Sequence, residues 1–209
     1  MYTQWITLHP VAGKVGEVER LVTERVTLRQ AQGTNAALSQ KVLGEGAVYS
    51  LGIRFPDLAG FHAFRTANRR DAAFQTYQAK LAPLLRVPST LDLQEMLMMP
   101  AAGTPPQYVQ RVTVYPSLEK LGDVSELLRE RLTAAASTGG RGALSRPVVS
   151  EHGPSFQVNI LHADLPAFEH ATQTNEADKD FQKFYGKLVG LIRYPSKMEL
   201  FEVLVPFTS

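Results

Sequence analysis

Apolar residues recur along this chain at two spacings, and each pattern is written twice. Val15, Val18, Leu21, Val22 and Val26 stand three or four apart, which predicts a helix from Lys14 to about Ala31. A second helix is predicted from Lys120 to Ala136 on Leu121, Val124, Leu127, Leu128 and Leu132. Gly33 and Gly139-Gly140 follow these helices, where a residue near left-handed geometry ends the turn. Before each helix lies a strand rich in β-branched and aromatic residues, Tyr2 to His9 and Tyr108 to Tyr115, stopped by Pro10 and Pro116. Alternation puts Tyr2, Gln4, Ile6 and Leu8 on one face of the first, and Tyr108, Gln110, Val112 and Val114 on one face of the second.

After each helix the period returns to two. Strands are predicted over Ala36 to Leu43 and Val48 to Phe55, turned by Gly44-Glu45-Gly46, and over Gly142 to Val149 and Ser155 to Leu161, joined by Ser150-Glu151-His152-Gly153-Pro154. Asp57 and Asp164 sit at N-cap positions before a short helix. A longer helix is predicted from Asp71 to Leu85, with Phe74, Tyr77, Leu81 and Leu84 on one face. Its counterpart runs from Asp178 to Ile192, with Phe181, Phe184, Leu188 and Leu191. Pro88 and Pro195 precede the final strands, Leu91 to Met98 and Lys197 to Val205.

The matches extend to residue identity. Asp57-Leu58, Phe61, Asn68, Asp71, Phe74-Gln75, Lys80-Leu81, Leu84, Arg86 and Pro88-Ser89 return without a gap 107 positions later, from Asp164-Leu165 to Pro195-Ser196. Tyr2, Gln4, Thr7 and Pro10 return 106 positions later, so the offset changes near the hairpin loop, where a one-residue change is tolerated. We read the chain as an internal repeat, residues 1–99 and 107–209, with 100–106 as a Pro-rich linker. Each copy has the order β-α-β-β-α-α-β, that of a ferredoxin-like unit with helices on one face of an antiparallel sheet. Both alternations of the strands carry apolar residues, Trp5 beside Ile6 and Met96 beside Leu97. A bare apolar face calls for a partner. The expected fold is therefore α+β, with the two sheets packed face to face as one intramolecular barrel.

Composition narrows the function classes. A formal charge of +2 gives no broad field for nucleic acid or an anionic membrane. The cluster Arg65, Arg69 and Arg70 is confined to the first copy, since Thr172, Glu176 and Ala177 stand opposite. Cysteine is absent, which excludes disulfides and thiolate chemistry. No apolar run reaches the ~18 residues of a membrane span, and no signal segment opens the chain, so a cytoplasmic location is the expectation. An exposed edge strand would permit a homodimer.

The pattern Tyr2 to Pro10, Phe61 and Phe64, Asp71-Phe74-Gln75-Tyr77 and Glu95-Leu97, repeated from Tyr108 to Glu202-Leu204, resembles the dimeric α/β-barrel superfamily. The likeness is greatest to NIPSNAP proteins. The resemblance implies a barrel that binds a small apolar or aromatic molecule. Alternatives it implies are a cofactor-independent monooxygenase or isomerase of the antibiotic-biosynthesis type, and a haem-binding barrel with His170 as ligand. Haem-degrading relatives use an Asn on the first strand with Trp and His on later helices. Here Gln4 and Gln110 are the nearest amides, and Phe74 and Phe181 stand near the His position, so that triad does not carry over.

The candidate ligand-binding residues are Trp5, His9, Arg111, Tyr115 and His162. Trp5 and Arg111 are mates, as are His9 and Tyr115, and each pair differs in chemistry. A face bearing Trp5 in one copy and Arg111 in the other would suit an aromatic or anionic molecule. His9 or His162 could serve as a base near neutral pH. His162, Asp164 and His170 could be drawn around a metal, but Asp164 is expected as a helix cap, so no metal and no bound cofactor are expected. Neither Gly-x-Ser-x-Gly nor His-Glu-x-x-His occurs.

Overall fold

The structure, a computed structural model, describes residues 1–42, 46–149 and 153–208. Among them lie β1 Tyr2–Leu8, α1 Val15–Ala31, β2 Ala36–Lys41, β3 Tyr49–Phe55, α2 Leu58–Arg70, α3 Ala72–Leu81 and β4 Thr90–Met98. Next come β5 Tyr108–Pro116, α4 Leu121–Ser137, β6 Gly142–Pro147, β7 Phe156–His162, α5 Leu165–Ala177, α6 Lys179–Val189 and β8 Ile192–Val205. The fold is α+β. Its strands close into an antiparallel barrel in the order β1-β3-β2-β8-β5-β7-β6-β4. The chain divides into two compact units, Met1–Gln94 with Val203–Ser209, and Glu95–Glu202. Strands β4 and β8 therefore each contribute residues to both units.

In unit 1, β3 pairs with β1 and β2, placing Ile6 opposite Leu51 and Leu38 opposite Leu51. Side chains alternate, so Leu8, Leu38, Leu51 and Ile53 share the face on which α1 lays Val18, Val22 and Val26, all buried. Tyr49 lies fully buried in this core, and its hydroxyl donates to Glu19 Oε2 at 2.7 Å. Burial and the adjacent carboxylate raise its pKa. Gly33 takes φ 84° after α1, as the sequence predicts.

The lengths of the next two helices differ from the prediction. α2 has 13 residues and α3 has 10. Asp57 caps α2 by accepting from Gly60 N–H at 2.7 Å, and Asp71 caps α3 by accepting from Ala73 N–H at 2.9 Å. Pro83 has no N–H to offer Ala79, so the chain leaves α3 through a 3-10 turn over Ala82–Leu84.

Unit 2 repeats the plan with α4, whose Val124, Leu128 and Leu132 pack on Val114, Leu144, Phe156 and Val158. Asp164 caps α5 through Ala167 N–H at 2.7 Å. β8 departs from the prediction by starting at Ile192 and running through Pro195. The β5–β8 register shifts between Thr113 and Tyr115, which pair with Lys197 and Tyr194. A bulge of this kind accommodates a residue that cannot donate to the ladder. The predicted turn residues Gly44 and Glu45, and Ser150, Glu151 and His152 of the second loop, lie outside the described residues. No helix among the described residues is long and apolar enough to cross a membrane.

Candidate ligand-binding site

Unit 1 holds a partly open cavity of about 300 Å³ between its sheet and its helices. The alternation of β1 turns Gln4, Ile6 and Leu8 toward it, and β3 adds Leu51 and Ile53. Helical spacing brings Arg25 and Arg29 from α1, Phe64, Arg65, Asn68 and Arg69 from α2, and Phe74, Tyr77 and Leu81 from α3. The interior is aliphatic and aromatic, with the buried Gln4 amide among it. Guanidinium groups come from two of the surrounding helices.

One carboxylate organises the half-buried part of this charge. Asp71 Oδ2 accepts from Arg29 at 3.2 Å and from Arg25 at 3.5 Å. Arg29 also donates to Asn68 Oδ1. Arg25 lies over the rings of Phe74 and Tyr77, 5.4 and 5.6 Å from their centroids, and Arg29 lies 5.7 Å from that of Phe64. The backbone N–H of Phe74, more than the arginines, holds the Asp71 carboxyl below its usual range. Burial lowers the pKa of Arg29, and the neighbouring Arg25 lowers it further. Burial pushes the Tyr77 phenol up to about 12, so at neutral pH it is a hydrogen-bonding group and not a base.

The mates of these residues in unit 2 make a different site. Arg131 there meets both Asn175, at 2.8 Å, and Asp178, at 3.6 Å, and stacks on Phe181 at 5.1 Å. The positions of Arg29, Phe64, Arg65 and Arg69 are taken by Ala135, Ala171, Thr172 and Glu176.

None of the five residues singled out from sequence lines this cavity. Trp5 lies on the opposite face of β1, edge-on to Phe207 at 6.0 Å. His9 is half-buried just beyond β1, its Nδ1 buried without a hydrogen-bond partner. Arg111 is buried, donates from Nε to Asn159 Oδ1 at 3.2 Å and stacks on Phe201 at 4.5 Å. Tyr115 meets Tyr194 edge-on at 6.1 Å. His162 is buried beside Phe168, with Nε2 3.3 Å from Gln110 Oε1, and burial lowers its pKa. The signal pointing to the cavity was in the sequence: Arg65 and Arg69 occur in the first copy alone, and Gln4 shares a strand face with Ile6 and Leu8.

The unit-1 cavity does not fit haem. His170 is exposed on α5, and the unit-1 lining offers iron no His, Cys or Met side chain. Tyr77 is held in the phenol form, away from the phenolate an iron ligand needs.

No family model matches this chain, and no curated protein matches it. Solved structures do. A proposed monooxygenase from Fusobacterium nucleatum superposes with TM-score 0.79 over 100% of this chain and 94% of its own, at 9% identity. A proposed monooxygenase from Lactobacillus acidophilus gives 0.71 over 99% and 95%, at 9% identity. An anthrone oxidase-like protein gives 0.65 over 98% and 92%, at 11% identity. The fold is shared with these three proteins. At such identities the likeness concerns the fold, and the chemistry has to come from the residues of this chain.

Proposed function

We propose that this chain is a NIPSNAP-like barrel protein that binds a small aromatic molecule in the unit-1 cavity, and that its halves, 1–99 and 107–209, are tandem copies of one ancestral unit. The observation that carries the binding reading is the composition of the cavity wall. Phe64, Phe74 and Tyr77 face Ile6, Leu51 and Ile53 across about 300 Å³, with Gln4 and Asn68 as the placed polar groups. Ligand pockets have this constitution: a concave apolar wall, a volume from about 300 Å³ upward, and a few polar groups that fix orientation. Calorimetric titration with 2-naphthoate tests it. Leu91 lines the cavity from an exposed position on β4, so Leu91→Trp fills the space while sparing the core. Saturable binding to the native protein that is lost in Leu91→Trp supports the reading. Equal binding by both proteins refutes it.

A second reading, cofactor-independent oxygenation, draws support from the cationic side of the same cavity. Direct reaction with dioxygen requires an electron-rich, ionised substrate, and guanidinium groups beside the ring stabilise that anion. Oxygen uptake with a polycyclic phenol, abolished by Leu91→Trp, is its expected signature. Tight binding without oxygen uptake leaves a binding protein.

A further inference from the structure

We infer that the unit-1 cavity selects ligands bearing a carboxylate or an ionised phenol, and that Arg29 is the residue that sets this preference. The inference rests on the binding reading above and adds the charge of the ligand. Its basis is an imbalance between the two units. In unit 2 one guanidinium, Arg131, is matched by one carboxylate, Asp178, and Asn175 completes its hydrogen bonding. Arg131 is the mate of Arg25, and Asn175 and Asp178 are the mates of Asn68 and Asp71. In unit 1 the same Asn and Asp serve two guanidiniums, because Arg29 stands where unit 2 has Ala135.

Asp71 neutralises one of those charges, which leaves one in excess. Both side chains are largely withdrawn from water, with exposures of 11% for Arg25 and 19% for Arg29. A surplus charge that has lost most of its hydration is costly unless something compensates it. Arg65 and Arg69 add charge of the same sign to the lining, which contains no carboxylate. The unfilled space adjoins these groups, so an anion placed there would supply the missing countercharge while its ring occupied the apolar wall. Planar guanidinium groups suit a carboxylate, which they can grip through two parallel hydrogen bonds.

The test compares 2-naphthoate with 2-naphthylmethanol, two probes of one ring system that differ in charge, by calorimetry at low and moderate salt. The native protein is expected to bind the carboxylate about tenfold more tightly or better, with a preference that shrinks as salt is added. Arg29→Ala installs the residue of unit 2, and Arg29→Gln keeps a donor near Asn68 without the charge. Either variant should lose the preference, read as the ratio of the two affinities so that an equal weakening of both probes does not count, and a cooperative melting transition shows that the variant is folded. Equal binding of the two probes by the native protein overturns the inference and leaves the binding reading standing. A preference retained in both variants overturns the role of Arg29. Binding of neither probe overturns the binding reading and the inference together.

Discussion

Trp5 lies directly across the β1–β3 ladder from Gly52, and a Cβ on that glycine would stand 2.6 Å from the indole ring. Phe207 closes on the same spot, 2.8 Å from where the Cβ would be, and its ring also lies 3.8 Å from the guanidinium of Arg54. The mates of Trp5 and Gly52, Arg111 and Asn159, are again directly opposed and are hydrogen-bonded at 3.2 Å. Each unit has thus built a matched pair at this position, ring on glycine in one and guanidinium on amide in the other.

Gly52→Ala is expected to destabilise the protein by about 1–3 kcal/mol, the range for inserting a methyl group into filled space. Trp5 is the single tryptophan, so its fluorescence reports on this contact. Urea unfolding gives the stability change, and a shifted emission maximum in the folded variant shows that the ring has moved. Phe207→Ala should redden the emission by opening Trp5 to water, whereas Gly52→Ala should change it without that exposure.

Asp71→Asn removes the carboxylate shared by Arg25 and Arg29. The folded pKa of Asp71 lies below its ordinary value of 3.8, so the unfolded chain takes up the proton first. Its contribution to stability is complete above that value and fades as pH falls through the lower folded value. Native protein should be more stable than Asp71→Asn at pH 7, and the two curves should converge below about pH 4. A constant gap across that range would show that the pairing carries no pH-dependent stability.

His162 acts in the same direction as Asp71, from a different cause and in a higher pH range. Burial lowers its folded pKa beneath the ordinary 6.5. As pH falls below 6.5 the unfolded chain binds a proton that the folded protein resists, and stability declines until pH passes the folded value. His162→Phe, which installs the residue of the mate position Phe55, should remove this decline. Melting temperatures from pH 7 to pH 5 check it, with the native protein falling more steeply than the variant.

The fold was legible because its determinants are local and repeated. The valine stripe of α1, the Asp caps at Asp57 and Asp164, and Gly33 at the end of α1 each act over a few residues. Pro195 misled because a proline ends a strand unless a bulge receives it, and the bulge depends on the pairing of β5. The cavity was less visible because it is assembled from seven elements, β1 to β4 and α1 to α3. Arg25 and Arg29 lie off the valine stripe of α1, and only the tertiary packing of α2 and α3 brings them to the cavity. Asp71 serves as cap and counterion at once, and the second duty depends on residues about 40 positions away.

The central claim is that the unit-1 cavity is a place for an aromatic ring. Its most direct test is intermolecular NOE spectroscopy on methyl-labelled protein with 2-naphthoate. The account predicts contacts from the ring protons to the methyls of Ile6, Leu51 and Ile53, which line the cavity, and none to those of Leu128 and Leu132, the unit-2 core. Contacts confined to unit 2, or saturable binding without any contact to Leu51 and Ile53, would contradict it.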